Sequence, residues 1–103
     1  MRDDYFSKTQ VLYLLRINAE KFSRITSLPN AFPVFRVGVR YVIPKDKFFA
    51  WIHRTMDSGA FYRLFEDDHR LIIPDINHEQ EVYHEHLRRC AVEKAKRRTQ
   101  YIF

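Results

Sequence analysis

Residues 31–51, AFPVFRVGVRYVIPKDKFFAW, constrain the fold more than any other part of the chain. Two short β-branched and aromatic runs, 35–37 and 40–43, are separated only by Gly38 and Val39. Runs of this kind pair as strands, and glycine at the first central position of a two-residue connection suits a type II′ turn. The spacing predicts a narrow hairpin. Arg36 and Arg40 flank its tip, so two guanidinium groups are carried on a rigid projection suited to phosphates or a nucleic-acid groove. The same two arginines are also what an ordinary solvated hairpin carries.

The residues before the hairpin sharpen this. Ser7 with Gln10 three positions on forms a capping-box pattern, and Phe6 with Val11 has the spacing of a hydrophobic staple, so a helix is expected from there through Leu15. A turn at Arg16, Ile17 and Asn18 follows, with Asn18 placed to cap a second helix over residues 19–28. Phe22, Ile25 and Leu28 fall on one face of that helix, which leaves Glu20, Lys21, Ser23, Arg24 and Ser27 pointing outward. Pro29 and Pro33 make a stiff connector with Phe32 plugging the core. After Pro44, Phe48, Ile52 and Met56 recur at helical spacing, widened by Phe49 and Trp51, so a third helix is expected to pack across the first two, with Gly59 ending it. Trp51 is expected in the core.

Three segments carry a family resemblance: T-Q-V-x-x-L-L-x-I over residues 9–17, F-P-x-x-R-V-G-x-R-Y-x-I-P-K over 32–45, and F-x-x-W over 48–51. Together they resemble the small winged helix-turn-helix proteins of the phage and transposon excisionase type, whose fold is shared with mercury-resistance-type regulators. The likeness covers residues 5–56. It implies sequence-specific duplex DNA binding by an accessory factor of a mobile genetic element, one that bends DNA and assists an integrase or recombinase without doing chemistry. A transcriptional repressor of the same fold is the alternative, as is the DNA-recognition part of a small phage terminase subunit. In such a protein the second helix enters the major groove with Lys21, Ser23, Arg24 and Ser27 toward the bases. Arg36 and Arg40 go to the adjacent minor groove or its phosphates, and Ser7 and Lys8 to backbone. The chain departs from the family where the second helix opens on Ala19 and Glu20 instead of hydroxyl residues that touch phosphate.

Charge is distributed in keeping with a polyanion partner. Residues 1–56 hold ten basic and four acidic side chains, a net of +6, whereas residues 57–103 hold eight and nine, a net of −1. The single cysteine, Cys90, excludes an intrachain disulfide and points to a reducing, cytoplasmic setting. The longest early apolar run, residues 11–15, is too short for a signal-peptide core or a membrane span.

Residues 59–103 read as an extension to a winged domain of residues 1–58. Phe61, Leu64 and Phe65 suggest one or two helical turns, and Leu71, Ile72 and Ile73 before Pro74 look extended. These apolar residues either lie back on the winged domain or form a docking surface. Asn77 with Gln80 again spells an N-cap, opening a long charged helix over about 77–99. Its acids (Glu79, Glu81, Glu85) gather at the start and its bases (Lys94, Lys96, Arg97, Arg98) at the end. Its apolar stripe, Tyr83, Leu87, Cys90 and Ala91, is thin, so it is expected to pack on one neighbour or to self-associate with another copy. His86 and Cys90 share a face but supply only two ligands, so no metal or other cofactor is expected. Two glycines cannot build a phosphate loop, and no catalytic constellation has a recognisable context, so the chain does not read as an enzyme. The expected fold class is mainly α with a small β-hairpin: a winged helix-turn-helix plus a C-terminal helical extension.

Overall fold

Strand β1 (Tyr5–Ser7) leads directly into α1 (Lys8–Leu15), and Ser7 makes the junction. Its Oγ accepts the Gln10 N–H at 3.1 Å, while its own N–H donates to Gln10 Oε1 at 2.8 Å, so both halves of the capping box are closed. The computed structural model describes the backbone of residues 4–101 and the side chains of residues 4–93. Arg16 ends α1 in the left-handed region at φ 56°, and the Ile17 N–H then reaches Leu12 O at 3.0 Å. Asn18 opens α2 (Ala19–Thr26), its Oδ1 accepting the Lys21 N–H at 2.8 Å.

The chain then crosses to β2 (Phe35–Val37), β3 (Arg40–Pro44), α3 (Lys45–Asp57), α4 (Ala60–Leu64) and α5 (His69–Tyr101). The molecule is mainly helical, with one antiparallel sheet of order β1-β3-β2. Val37 pairs with Arg40 across Gly38 and Val39, and a positive φ at Gly38 (64°) without one at Val39 is the type II′ pattern. At the other edge of β3, Phe6 pairs with Ile43, and the Lys45 N–H donates to Asp4 O at 2.9 Å. Gly59, at φ 81°, takes the left-handed position just past α3.

Aromatic rings knit the core. Phe32 lies 5.0 Å from Trp51, 5.3 Å from Phe48 and 6.1 Å from Phe22, centroid to centroid, so the connector between α2 and β2 is plugged as its sequence suggests. Phe6 meets Phe48 edge-on at 5.4 Å. The same buried cluster continues through Phe61, Phe65, Ile72 and Ile76 to Tyr83, which lies against Phe49. The apolar residues after Gly59 thus lie back on the preceding helices. No helix among the described residues is long and apolar enough to cross a membrane.

Two expectations about the elements are corrected. The second helix ends at Thr26, two residues early, and Leu28 is 47% exposed rather than part of the buried stripe. Thr26 Oγ1 donates to Phe22 O and Ser27 Oγ to Ser23 O, so hydroxyls bond to late carbonyls of the helix, and Pro29 follows. The larger correction concerns Leu71, Ile72 and Ile73, which are helical. The last helix begins at His69 rather than near residue 77, runs through Pro74, and leaves the Asn77 pattern unused as a cap. A strand would set Ile72 opposite Leu71 and Ile73. The helix instead stacks Ile72 on Ile76 at i, i+4, both fully buried, and turns Leu71 outward. Burial of two isoleucines, each worth roughly 1.5–3 kcal/mol, offsets one proline-broken hydrogen bond near the helix start. Gln80, read as a capping partner, faces His53 on α3, 3.1 Å from its Nε2. The side chains of Lys94, Lys96, Arg97 and Arg98 lie outside the described residues.

If α5 belongs to the core, Ile76→Ala is expected to lower unfolding free energy by about 2–5 kcal/mol, whereas Leu71→Ala should cost under about 1 kcal/mol. Urea denaturation of the full chain checks both; equal, small effects would mean that the start of α5 does not support the fold.

Candidate nucleic-acid interface

The exposed face of α2 and its C-cap presents Ser23, Arg24 and Ser27, and the Arg24 side chain makes no hydrogen bond or ion pair among the described residues. The other two are partly engaged with their own helix: the Ser23 carbonyl accepts from both Thr26 Oγ1 (3.2 Å) and Ser27 Oγ (2.7 Å). Glu20 sits exposed in the first turn, where it complements the helix dipole and opposes any phosphate brought to that end.

Lys21 does not join this face. Its Nζ donates to Leu64 O at 2.7 Å and lies 5.0 Å from the Phe65 ring centroid, so the ammonium is drawn onto the end of α4. The cause is helical geometry: Lys21 stands one turn before Ile25, on the border of the buried stripe, so its stem follows the apolar surface until the charge finds an orphan carbonyl. The outward placement expected of Lys21 is corrected accordingly.

Lys8 is half-buried at the seam between α2 and the hairpin, with Nζ 5.4 Å from the Phe22 ring centroid and 5.3 Å from that of Tyr41. This joins α1, α2 and β3 around one cation, an arrangement with no counterpart in local sequence spacing. Ser7, next to it, is exposed, but its hydroxyl already accepts a cap hydrogen bond.

On the hairpin the register decides what each arginine faces. Arg36 is cross-strand from Tyr41, and Arg40 from Val37. Directly paired residues share a face and neighbours along a strand alternate, so Arg36 and Tyr41 lie on one side of the ribbon and Val37 and Arg40 on the other. The Arg36 side, through Tyr41 and Lys8, adjoins α2. Arg36 Nε donates to Gly38 O at 3.0 Å, which folds the guanidinium across the turn. Behind this surface, Arg54 Nη2 donates to Asn30 O at 3.2 Å, bracing the connector where Asn30 adopts φ 62°. The structure thus leaves Ser23, Arg24 and Ser27 exposed along α2, sets Lys8 against Phe22 and Tyr41, puts Arg36 and Arg40 on opposite sides of the ribbon, and withdraws Lys21.

Sequence reasoning missed the apolar character of the hairpin tip, where Phe35, Val37 and Val39 are all exposed. The available signal was a valine at a turn position where polar residues are usual.

His86 Nε2 lies 3.6 Å from Asp4 Oδ1 and 3.7 Å from Cys90 Sγ. Among the described residues no group of three or more His, Cys, Asp or Glu side chains could hold a metal ion. Tyr83 is held protonated above the usual tyrosine range, first by burial and then by the Asp46 and Asp4 carboxylates.

Lys21→Met, which keeps the apolar stem, is expected to cost about 1 kcal/mol of stability by removing the bond to Leu64 O. Because Lys21 faces α4, the same substitution should leave duplex affinity closer to the parent value than Arg24→Ala does. Paired denaturation and anisotropy titrations read both quantities; a larger loss of DNA affinity from Lys21→Met would return Lys21 to the interface. No protein-family model, curated protein or solved structure matches the chain.

Proposed function

We propose that this chain is a sequence-specific duplex DNA-binding protein of winged helix-turn-helix type, acting as a non-enzymatic accessory factor in recombination of a mobile element. The observation that carries the reading is that an exposed arginine on α2 and an arginine on each side of the ribbon stand on the half of the chain with net charge +6. Helix α2, two turns long and bearing one outward arginine, suits the major groove, where a bidentate arginine–guanine pair discriminates by about 1–3 kcal/mol. The ribbon, carrying an arginine on each side, suits the neighbouring groove and its phosphates, where contacts hold register and carry little sequence information. Lys8, whose ammonium meets Phe22 of α2 and Tyr41 of β3, would take the intervening backbone.

The recombination role rests on the excisionase resemblance of residues 5–56. Repression would use the same contacts at a promoter, and phage packaging would add a ring of subunits. A monomer that loads cooperatively onto tandem sites supports the excision reading, and a ring by mass photometry supports packaging.

In the full chain, affinity for random duplex is expected to fall steeply with salt. On a site selected from a random pool, Arg24→Ala should weaken binding by about 1–3 kcal/mol more than on random duplex, whereas Arg40→Ala should weaken both alike and flatten the salt slope by about one unit. Glu20→Gln should tighten random binding. Duplex affinity that is absent or insensitive to salt would overturn the DNA reading; equal losses from Arg24→Ala on both DNAs would remove α2 from base readout.

A further inference from the structure

The tip of the β2–β3 hairpin carries apolar surface that the fold does not use. Val39 is 88% exposed, Val37 64% and Phe35 53%, and none of them belongs to the buried cluster. Scattered surface apolar residues are ordinary, but these three stand at alternate positions along one short ribbon and end at its apex. A Cβ added at Gly38 would meet no atom within 4 Å, so the apex stands clear of the body. A type II′ turn takes a polar residue at its second central position without cost, and nothing in packing requires a β-branched one there.

The charges around the tip narrow what covers it. Arg36 and Arg40 stand on opposite sides of the ribbon. No acidic residue occurs between Glu20 and Asp46, so the connector and the hairpin carry only positive charge. An apolar point flanked on both sides by guanidinium groups matches a cleft with two anionic walls and apolar stacked base faces between them, as in a nucleic-acid groove opened at one step. A second copy is a poor occupant. Strand addition along the open edge of β2 and centred on its middle residue would set Arg36 directly opposite the Arg36 of the other molecule, and like charges so placed repel.

Resting on the duplex-binding reading, we infer that the hairpin tip is a wedge: Val39, backed by Val37, enters the minor groove beside the site of α2 and partly unstacks one base step, with Arg36 and Arg40 taking the phosphates of the two strands. Minor-groove proteins use apolar side chains in this way to kink the duplex toward the major groove. The minor groove of B-form DNA is about 6 Å wide, too narrow for a two-stranded ribbon, so entry and widening occur together. The step entered should be pyrimidine–purine, which unstacks with least resistance. The duplex would then lean toward α2, extending the contact made by its outer face.

The test uses the full chain and duplexes of one selected site carrying 2-aminopurine at successive positions, with end-labelled versions for bending by energy transfer. The parent should raise fluorescence at one step and bring the ends closer. Val39→Ser, at an exposed position, should leave the melting temperature and salt slope unchanged while removing about half or more of both signals, and Val39→Phe should restore or exceed them. Arg24→Ala should keep the bend while losing preference for the site. Salt-dependent duplex binding with no unstacked base or bend, or signals indifferent to Val39→Ser, would overturn the wedge and leave duplex binding standing. Absence of duplex binding would overturn both. Binding to anionic phospholipid vesicles that Val39→Ser abolishes, with the 2-aminopurine signal unmoved, would also overturn the wedge and assign the tip to a lipid surface.

Discussion

Phe32 sets the distance between the two elements of the candidate interface. Its ring is wedged between Phe22 of α2 and the Phe48 and Trp51 rings of α3, so the connector from α2 to β2 is pinned at its midpoint instead of spanning a gap. Prolines on either side restrict the connector's backbone, and Arg54 holds the carbonyl of Asn30 at its start. That ring ties the connector to both helices, and Lys8 between Phe22 and Tyr41 adds a second link from α2 to the hairpin. Aromatic pairs of this geometry add about 0.5–1.5 kcal/mol each beyond their buried area. Here the larger contribution is to position.

The second half of the chain supports the same frame from behind. Phe61, Phe65, Ile72 and Ile76 belong to the cluster that begins at Phe6, and Lys21 carries a hydrogen bond from α2 to the end of α4. On the far side Tyr83 packs on Phe49, with Lys45 Nζ 4.9 Å from the Phe6 ring centroid and 5.8 Å from that of Tyr83. Exposed pairs such as Arg16 with Asp75, 3.7 Å apart, are worth little individually. Rings and aliphatic side chains hold α5 in place, with charges along their margins.

What was legible in the sequence was what local chemistry decides. The Ser7 capping box, the Asn18 cap, the Gly38 turn and the helix stop at Gly59 depend on residues within about four positions of one another, and spacing alone locates them. What was misread depended on distant partners. Pro74 argues locally against a helix, but Ile72 and Ile76 are buried by residues from elsewhere in the chain. Lys21 looks like an outward residue on a helical wheel, and only the presence of Leu64 O, 43 positions away, turns it inward. Leu28 has the right phase for burial on a helix that in fact stops before reaching it. The hairpin arginines were legible as a pair, but their placement on opposite sides required the register.

Trp51, the single tryptophan of the chain, is almost wholly buried against Phe32. Its indole is therefore an optical probe of the seam between α2 and α3 and of little else. Emission should be blue-shifted in the native protein and move to the red only when that seam opens to water. A ligand seated on the exposed face of α2 or on the ribbon would leave it almost unchanged, so intrinsic fluorescence separates loss of structure from occupancy of the surface.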